Sequence, residues 1–176
     1  MLVRTVGKKA LHLVSRTRSF YHAELRKLGP WAAGKRVLEI GSGRQVRGKE
    51  HYSAIHLFGD AEEFRQTDMN ADHGHEVLDV TSMDLVSSYD LILCLNVLEH
   101  VFEYQQAIDN LHRAVRSGGI VVVAVPFAFP LHDEPQDFWR FTEHALRATL
   151  RQFSDVSVSH NGARICPFGY FVVARK

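Results

Sequence analysis

The first residues along the chain that could bind a ligand form a short turn that contains two glycines. Glu39 lies near the end of an apolar stretch, and Gly41 and Gly43 follow that stretch. Glycine lets the backbone approach a ligand closely and adopt conformations that other residues avoid. The Glu39 carboxylate suits a ligand with a cationic amino group better than it suits a pyrophosphate. A dinucleotide-binding fingerprint needs a third glycine where Val46 stands, so the turn predicts a different ligand.

A second reactive group lies between residues 126 and 144, where histidines, acids, a tryptophan and an arginine occur close together. A histidine can remove a proton from a hydroxyl near neutral pH, because its pKa lies in that range. We expect His132 to be the first candidate for such a base, followed by His100 and His144. The side chains expected to contact a substrate are Asp133, Glu134, Asp137, Trp139 and Arg140.

Each of these side chains also has a purely structural alternative. Asp137 and Arg140 are three residues apart and could pair with each other to fix a loop. Trp139 could fill the core instead of stacking on a substrate. His100 could cap the helix that follows it, and His144 could face solvent. The sequence leaves these alternatives open.

The elements that must position these residues follow from the apolar pattern. The predicted strands cover residues 35–40, 63–67, 76–80, 89–95, 120–125, 156–160 and 168–174. Helical spacing covers residues 3–14, 20–28 and 99–116, with an irregular helix over 46–59. Residues 89–95 are nearly all apolar, as expected of a parallel strand buried on both faces. This order predicts a doubly wound α/β domain, whose ligands bind at the carboxyl ends of the strands.

Turn and cap residues divide these elements. Gly29-Pro30 is predicted to end the second helix, and Gly118-Gly119 to end the helix over 99–116. Residues 126–141 carry three prolines and no clean period, so we expect a loop that covers the ligand edge of the sheet. Thr142 is a suitable N-cap for another helix, and Asn161-Gly162 indicates a turn between the last two strands.

The composition favours one globular domain. The chain has 176 residues, 45% of them hydrophobic, and no apolar run approaches the roughly 20 residues that a membrane span needs. Its two cysteines form no disulfide framework, and Cys94 lies within an apolar run. A reducing, cytoplasmic location is therefore expected.

The charge is distributed unevenly along the chain. Residues 1–36 carry nine Lys or Arg and one acid, Glu24, although the whole chain has a net charge of only +1. We expect a basic amphipathic helical cap over residues 1–30, followed by the main domain over residues 31–176. An anionic partner, a membrane surface or an organellar presequence are the alternatives for the basic stretch.

The motifs in their order resemble class I S-adenosylmethionine-dependent methyltransferases. VLEIGSG at residues 37–43 resembles the first motif of that family. The further matches are Asp68 after the second strand, Asp79-Val80 after the third, Tyr89-Asp90 and residues 96–100 around the fourth, and residues 116–119 before the fifth. The resemblance covers about residues 34–175. It implies a Rossmann-like, seven-stranded, mostly parallel sheet with helices on both faces and an antiparallel last strand.

The resemblance also implies residue roles toward S-adenosylmethionine. Gly41 and Gly43 would lie under its methionine part, with Glu39 near its amino group; Asp68 would accept hydrogen bonds from the ribose hydroxyls, and Asp79 from the adenine amino group. The complete set implied for the cofactor is Glu39, Gly41, Ser42, Gly43, Asp68, Met69, Asp79, Val80, Leu95 and Asn96. The alternative for both aspartates is that each caps a helix or a turn. Gln45 departs from the family, since many members have a third glycine there.

The segment from Pro126 to Thr142 resembles a narrower group of small methyltransferases associated with glycans and secondary metabolites. This resemblance implies methyl transfer to a hydroxyl of a small molecule, with a sugar or saccharide precursor as the expected acceptor. Mg²⁺ is a possible second cofactor, because it prefers oxygen donors and could hold two hydroxyls. Residues 72–76 and 132–134 contain possible metal ligands, but the ligands stay unassigned. The alternative is that both segments are polar surface loops.

Other functions remain as alternatives. A methyltransferase acting on nucleic acid or protein is one, although the Asn/Asp-Pro-Pro-aromatic motif of base amino methylation is absent and Asn96 is followed by Val-Leu. A non-catalytic module that binds S-adenosylmethionine is another. No nucleic-acid partner is expected. A short chain without an inserted substrate domain implies an open site, or one that is completed by a second subunit or by the N-terminal helices, so a homodimer is possible.

Overall fold

The computed structural model describes residues 16–44 and 53–176. Its strands are β1 (Arg36–Ile40), β2 (Glu63–Asp68), β3 (Glu76–Val77), β4 (Tyr89–Leu95), β5 (Val115–Pro126), β6 (Asp155–Asn161) and β7 (Gly169–Arg175). They form one sheet in the order β3-β2-β1-β4-β5-β7-β6. The pairs from β3 to β5 are parallel, whereas β7 runs antiparallel to both of its neighbours. The predicted fold class, including the antiparallel last strand, is confirmed.

The helices lie around this sheet. Residues 16–26 are helical (α1), and α2 (Gly29–Ala32), α3 (Tyr104–Ala114) and α4 (Glu143–Thr149) follow along the chain. Short 3₁₀ helices occur at Ile55–Leu57, Ala71–His73 and Leu98–His100. None of the helices in the described part of the chain has both the length and the apolar character needed to cross a bilayer.

Alternation along the central strands divides the core into two layers, one on each face of the sheet. On β4, Ile92 and Cys94 pack with α3 and α4 on one face. Leu91 and Leu93 pack on the other face with α1, where Tyr21 and Leu25 are buried. The Tyr21 hydroxyl donates to Val125 O at 3.1 Å, which ties α1 to the end of β5. The helix over 20–28 is thus confirmed for residues 20–26, although its described part begins earlier, at residue 16.

Several predicted boundaries are wrong. Gly29-Pro30 does not end a helix but begins α2, because proline is tolerated in the first turn, where its missing N–H would have no partner. The helix predicted over 99–116 is shorter: a 3₁₀ turn and a loop precede α3, and the chain enters β5 at Val115. Gly118-Gly119 therefore lies inside β5, where Gly118 has φ +75°. The third strand stops at Val77, since Asp79 forms a turn with residues 81–83.

Other local predictions are confirmed. Pro126 is the last residue of β5, and the remaining residues up to 141 form the predicted loop. Thr142 caps α4 by accepting from Ala145 N at 3.1 Å. Leu146, Leu150 and Phe153 are buried, as the helical spacing predicted. The predicted helix over 3–14 lies outside the described residues. Of the irregular helix over 46–59, residues 46–52 also lie outside them, and Ile55–Leu57 is a 3₁₀ turn.

The parallel strands point their carboxyl ends toward one edge of the sheet. Gly41 follows β1, Met69 follows β2, Asn96 follows β4, and Phe127 follows β5 at this edge. The loop over 126–141 folds back there, because Phe138 N and Trp139 N both donate to Glu99 O, at 2.8 and 3.2 Å. This edge therefore brings the glycine turn and the histidines of the loop together.

Candidate active site

A cavity of about 620 Å³ opens at the carboxyl edge of the sheet. This volume lies within the range of about 300–1,000 Å³ that is typical of small-ligand sites. Its walls come from α1, the turn after β1, the ends of β4 and β5, and the loop after β5. Of the residues that the sequence predicted for ligand, substrate or chemistry, the cavity is lined by Glu39, Gly41, Gly43, Leu95, Asn96, His100, His132 and Asp133.

The glycine turn is held in a conformation that suits glycine. Gly41 and Gly43 have φ values of +71° and +73°. A Cβ atom on Gly41 would overlap the side chain of Val97, which follows β4. The turn therefore packs its backbone directly against the next strand end and leaves its other side to the cavity. Gln45 and Val46, which bear on the third-glycine question, lie outside the described residues.

Glu39 fixes this turn from beneath. Its carboxylate accepts hydrogen bonds from Ser42 Oγ at 2.8 Å, Ser53 Oγ at 2.5 Å and Ala54 N at 2.7 Å. The residue is only 2% exposed, and burial raises the pKa of its carboxyl despite these donors. Glu39 lines the cavity, but both of its carboxylate oxygens already accept hydrogen bonds from the protein. Its contact with a ligand amino group stays a prediction. Ser42 helps to fix the orientation of the carboxylate by donating to it.

Asp68 lies beside the same turn, at the end of β2. Its Oδ2 accepts from Gly43 N at 2.9 Å and its Oδ1 from Asn70 N at 2.9 Å. His73 Nδ1 lies 3.0 Å from Oδ1. Burial raises the pKa of the Asp68 carboxyl, but the hydrogen bonds from Asn70, His73 and Gly43 outweigh it, so the pKa is lowered overall. The side chain is an ionised acceptor adjacent to two cavity residues, Gly43 and His73.

Of the remaining predicted cofactor residues, some line the cavity and others do not. Asn96, with φ +53°, lines the cavity beside Leu95. Asp79 accepts from Thr81 N and Thr81 Oγ1, both at 2.8 Å, which is the turn-capping alternative. Val80 is buried in the core, and Met69 is 69% exposed. Asp79, Val80 and Met69 are outside the cavity lining described above.

An unusual group is formed by His100 and His132 in the cavity wall and by Glu99 buried behind them. Glu99 is fully buried, and neither of its carboxylate oxygens has a hydrogen-bond partner among the described residues. His132 Nε2 lies 3.8 Å and His100 Nε2 3.9 Å from Glu99 Oε1. The two imidazole rings meet edge to face, with centroids 4.8 Å apart. The nearby Glu99 carboxylate, followed by Asp137, raises the pKa of His132 against the opposing effect of burial.

Comparisons with known proteins agree with this geometry. A family model described as a methyltransferase domain matches residues 38–121. None of the curated protein sequences matches the chain. A solved structure of a SAM-dependent methyltransferase from Archaeoglobus fulgidus is similar, with a TM-score of 0.67 and 18% identity over 90% of this chain and 94% of that one.

Residues 38–121 therefore resemble a methyltransferase domain, and the sheet has the fold of a solved SAM-dependent methyltransferase.

Two further solved structures share the fold of the chain. One is a Burkholderia thailandensis 1,6-didemethyltoxoflavin-N1-methyltransferase with bound S-adenosylhomocysteine, with a TM-score of 0.63 and 19% identity over 98% of this chain and 81% of that one. The other is N-methyltransferase NodS from Bradyrhizobium japonicum WM9, with a TM-score of 0.65 and 16% identity over 91% of this chain and 96% of that one. At these identities the likeness concerns the fold.

The described residues around the cavity are chemically compatible with S-adenosylmethionine. The cavity is large enough for a ligand of that size class, and its floor is a turn whose glycine backbone leaves room for close approach. The ionised Asp68 carboxylate beside Gly43 has the chemistry to accept hydrogen bonds from a diol. Leu95 offers apolar contact in the same wall.

The structure favours the pairing alternative for Asp137 and Arg140 over a substrate role. The Asp137 side chain has no exposed surface, and Arg140 donates to both of its oxygens, at 2.6 and 2.7 Å. Arg140 also donates to Pro130 O, and the pKa of the Asp137 carboxyl is strongly lowered by the paired guanidinium. Since each charge already has its partner, the pair fixes the loop over 126–141. Asp137 accepts in addition from His132 N at 3.0 Å, so it positions His132.

Trp139 is also a structural residue. Its Nε1 donates to Val101 O at 3.1 Å, and its ring packs against those of Phe102, Tyr104 and Phe141. The ring is therefore committed to an aromatic cluster that anchors the loop to the start of α3. These contacts favour the structural alternative, and the stacking of Trp139 on a sugar stays a prediction.

The other predicted residues differ in placement. Asp133 lines the cavity, with φ +52°, whereas Glu134 is exposed and outside the lining. His144 is exposed on α4 and is also outside the lining, so the structure does not bring it to His100 and His132.

The segment over 72–76 does not assemble as a metal centre in the described structure. His73 faces Asp68, and Glu76 is paired with Arg65. Within residues 16–44 and 53–176, the group with metal-ligating geometry is instead the one that contains Glu99. Two imidazole nitrogens in that group do not match the preference of Mg²⁺ for oxygen donors.

Glu99 is the functional candidate that sequence reasoning missed. It was part of the matched segment over 96–100, but it was treated only as the neighbour of His100. The available signal was an acid next to a histidine directly after a buried strand. Its orientation, toward His132 some 30 residues later in the chain, depends on how the loop folds back, which no local pattern contains.

Proposed function

We propose that the protein transfers the methyl group of S-adenosylmethionine to a hydroxyl oxygen of a small molecule, with a sugar or saccharide precursor as the acceptor class. The observation that carries the proposal is the pair His100 and His132 in the wall of the cavity that also contains the glycine turn, with the buried Glu99 carboxylate behind them. A hydroxyl must lose its proton during transfer, and an imidazole backed by a buried carboxylate is suited to accept it.

The cofactor would be held by residues at the strand ends. Gly41, Gly43 and Asn96 would lie along it, and Asp68 would accept hydrogen bonds from its ribose hydroxyls. When bound, S-adenosylmethionine supplies a methyl group already activated on a sulfonium. The protein then has to align the acceptor oxygen in line with that bond and exclude water.

His132 is the residue proposed to accept the proton at its Nε2 atom. Its Nδ1 lies 3.2 Å from Pro130 O, a carbonyl that can only accept, so Nδ1 carries the hydrogen and Nε2 keeps its lone pair. The imidazolium that forms is stabilised by Glu99 on one side and Asp137 on the other. This is the arrangement of a base that is oriented and charge-stabilised by carboxylates.

The type of acceptor follows from the same chemistry. A neutral amine attacks with its own lone pair and can lose its proton afterwards, so it does not need a base before attack. A buried carboxylate and two histidines at the cavity therefore favour a hydroxyl. Asp133, which lines the cavity, could accept a hydrogen bond from a second hydroxyl of a saccharide. Cytoplasmic location, a dimer and the helical cap over residues 1–30 stay predictions.

A labelled-methyl transfer assay tests this function. The purified protein is given S-adenosylmethionine with a panel of mono- and disaccharides, and with a matched panel of small amines. We expect transfer to a hydroxyl compound. In His132→Gln, kcat should fall about 100-fold or more, with unchanged affinity for S-adenosylhomocysteine. His160→Gln, at the outer strand β6, is the matched control. Transfer confined to amines, or full turnover in His132→Gln, would overturn the proposal.

A further inference from the structure

We infer that Glu99, His100 and His132 form a binding site for a divalent transition-metal ion of the Zn²⁺ or Mn²⁺ type. The inference goes beyond the proposed function, because binding of the ion requires neither cofactor nor acceptor. It differs from the Mg²⁺ hypothesis in both the ligands and the class of metal. It rests on the geometry of three side chains, on the hydrogen bonds behind them, and on an unpartnered buried carboxylate.

The separations of the three side chains suit one shared ion. One oxygen of Glu99 lies 3.8 Å from His132 Nε2 and 3.9 Å from His100 Nε2. The ligand atoms of all three residues lie within 4.8 Å of one another. Ligands at about 2.1 Å from a zinc ion are about 3.4 Å apart in tetrahedral geometry, so small side-chain rotations bring these atoms into range.

The other ring nitrogens are held as they are in metal-binding histidines. His100 Nδ1 lies 2.9 Å from Gln136 O, and His132 Nδ1 lies 3.2 Å from Pro130 O. Each carbonyl can only accept, so each Nδ1 carries the hydrogen and each Nε2 presents a lone pair. In metal sites, the ring N–H of a ligating histidine that does not bind the metal commonly donates to a backbone carbonyl or a carboxylate.

Burial leaves the Glu99 carboxylate uncompensated in the described part of the chain. Two imidazole lone pairs point toward a carboxylate that is completely buried, and neither oxygen of Glu99 has a hydrogen-bond partner among the described residues. A buried carboxylate without donors is costly, because it has lost its hydration without compensation. A divalent ion at the centre of the three side chains would satisfy all three at once.

The donor set selects the class of ion. Two imidazole nitrogens and one carboxylate oxygen favour Zn²⁺, Mn²⁺ or Fe²⁺ over Mg²⁺ and Ca²⁺, which prefer oxygen ligands. His100 and His132 both line the cavity, so the remaining coordination positions would face the proposed acceptor. An ion would also join the 3₁₀ turn Leu98–His100 to the loop over 126–141, and should therefore stabilise the fold.

An ion at this place would change how the hydroxyl proton is lost. It occupies the Nε2 lone pair of His132, so the base role proposed above applies to the metal-free protein. In the metal-loaded protein, a divalent cation instead lowers the pKa of a hydroxyl that binds to it. Metal binding and methyl transfer are thus separable, and each can be measured without the other.

Calorimetric titration of the chelator-treated full chain with ZnCl₂ and with MnCl₂ tests the site. We expect one ion per chain from at least one of the two metals, and binding weaker by about 100-fold or more in Glu99→Gln and in His100→Gln. MgCl₂ should bind far more weakly than either. His160→Gln is the matched control and should bind as the unchanged protein does.

The outcomes separate this inference from the proposed function. Equal affinity in the unchanged protein and both variants would place the ion elsewhere and overturn the site, as would the absence of binding. Titration with S-adenosylhomocysteine of the same samples shows whether each variant is folded and competent. If S-adenosylhomocysteine binds and the metals do not, the metal site fails while the proposed function stands.

Discussion

Asp68 shows how a single carboxylate joins the turn after β1 to the end of β2. Its two oxygens accept from Gly43 N and Asn70 N, and Oδ2 has a further lone pair for a ligand, whereas Oδ1 also faces His73. The sequence resemblance identified this position correctly as an acid at a strand end. It could not show that the same carboxylate also holds the glycine turn in place, because that contact joins residues 25 positions apart.

Asp68→Asn is therefore expected to weaken binding of S-adenosylhomocysteine about tenfold, since a charged acceptor becomes a neutral one. The measurement is a calorimetric titration at pH 7. Asp60→Asn, at an exposed position before β2, is the matched control and should bind normally. Equal affinity of the Asp68 variant and the unchanged protein would remove this residue from the cofactor site.

The same variant has a predictable pH dependence of stability. The pKa of Asp68 is lowered in the folded state, so its ionised form stabilises the fold above the ordinary carboxyl pKa of about 3.9 and loses this effect as pH falls through the lower folded value. Asp68→Asn should lower the free energy of unfolding by about 1 kcal/mol at pH 7. In urea unfolding, the difference should shrink below about pH 4. A difference that grows in acid would contradict the assignment.

Helices and strands could be predicted where the pattern of apolar residues within one segment is sufficient to locate them. Periodic apolar residues located α3, and the apolar run over 89–95 located β4 with its bounds. Boundaries that depend on distant partners were not predictable. Residues 98–103 leave the helical pattern because Glu99 O accepts from the loop over 126–141, and β3 ends early because Asp79 bonds to Thr81. For the same reason Asp137 and Trp139 were placed at the substrate, although they hold the loop.

The turn after β1 allows a test with a built-in comparison. Gly41 and Gly34 both have positive φ, at +71° and +68°, but only at Gly41 would a Cβ atom overlap a neighbour, Val97. Gly34→Ala should lose about 1–2 kcal/mol of unfolding free energy to backbone strain alone and keep its affinity for S-adenosylhomocysteine. Gly41→Ala should lose more and bind at least tenfold more weakly.

Chemical denaturation and calorimetry measure these effects. Gly41→Ala combined with Val97→Ala should recover part of the lost stability, because the overlapping side chain is removed. If both glycine variants lost the same stability and the same affinity, the close packing of Gly41 on Val97 would have no role in the site.

The loop after β5 is stabilised by the Asp137–Arg140 pair. Breaking this pair in Asp137→Asn should lower the free energy of unfolding by about 2 kcal/mol, which allows for the partial exposure of Arg140. Glu143→Gln removes an exposed partner of Arg147 and should change little. Thermal unfolding compares the two. A loss confined to the KM of the acceptor, with stability unchanged, would restore the substrate role that the sequence suggested.

At the scale of the whole molecule, the cavity is completed by parts that are distant in sequence. Strand ends supply its floor, the loop over 126–141 supplies the histidines, and α1 closes one side with Tyr21 and Leu25. Those two residues are also buried in the second core layer, so α1 is continuous with the domain packing. The fold class and the antiparallel last strand could be predicted from the resemblance of the sequence to a known family. Completion of the site by the N-terminal helices is one of the predicted alternatives, but the particular contacts of α1 could not be predicted.

The measurement that tests the central claim most directly is a calorimetric titration of the full chain with S-adenosylmethionine. The account predicts saturable binding of one molecule per chain, since one cavity with a glycine floor and an ionised Asp68 offers one place for it. A chain that is folded by circular dichroism but releases no heat and shows no thermal stabilisation at saturating cofactor would contradict it.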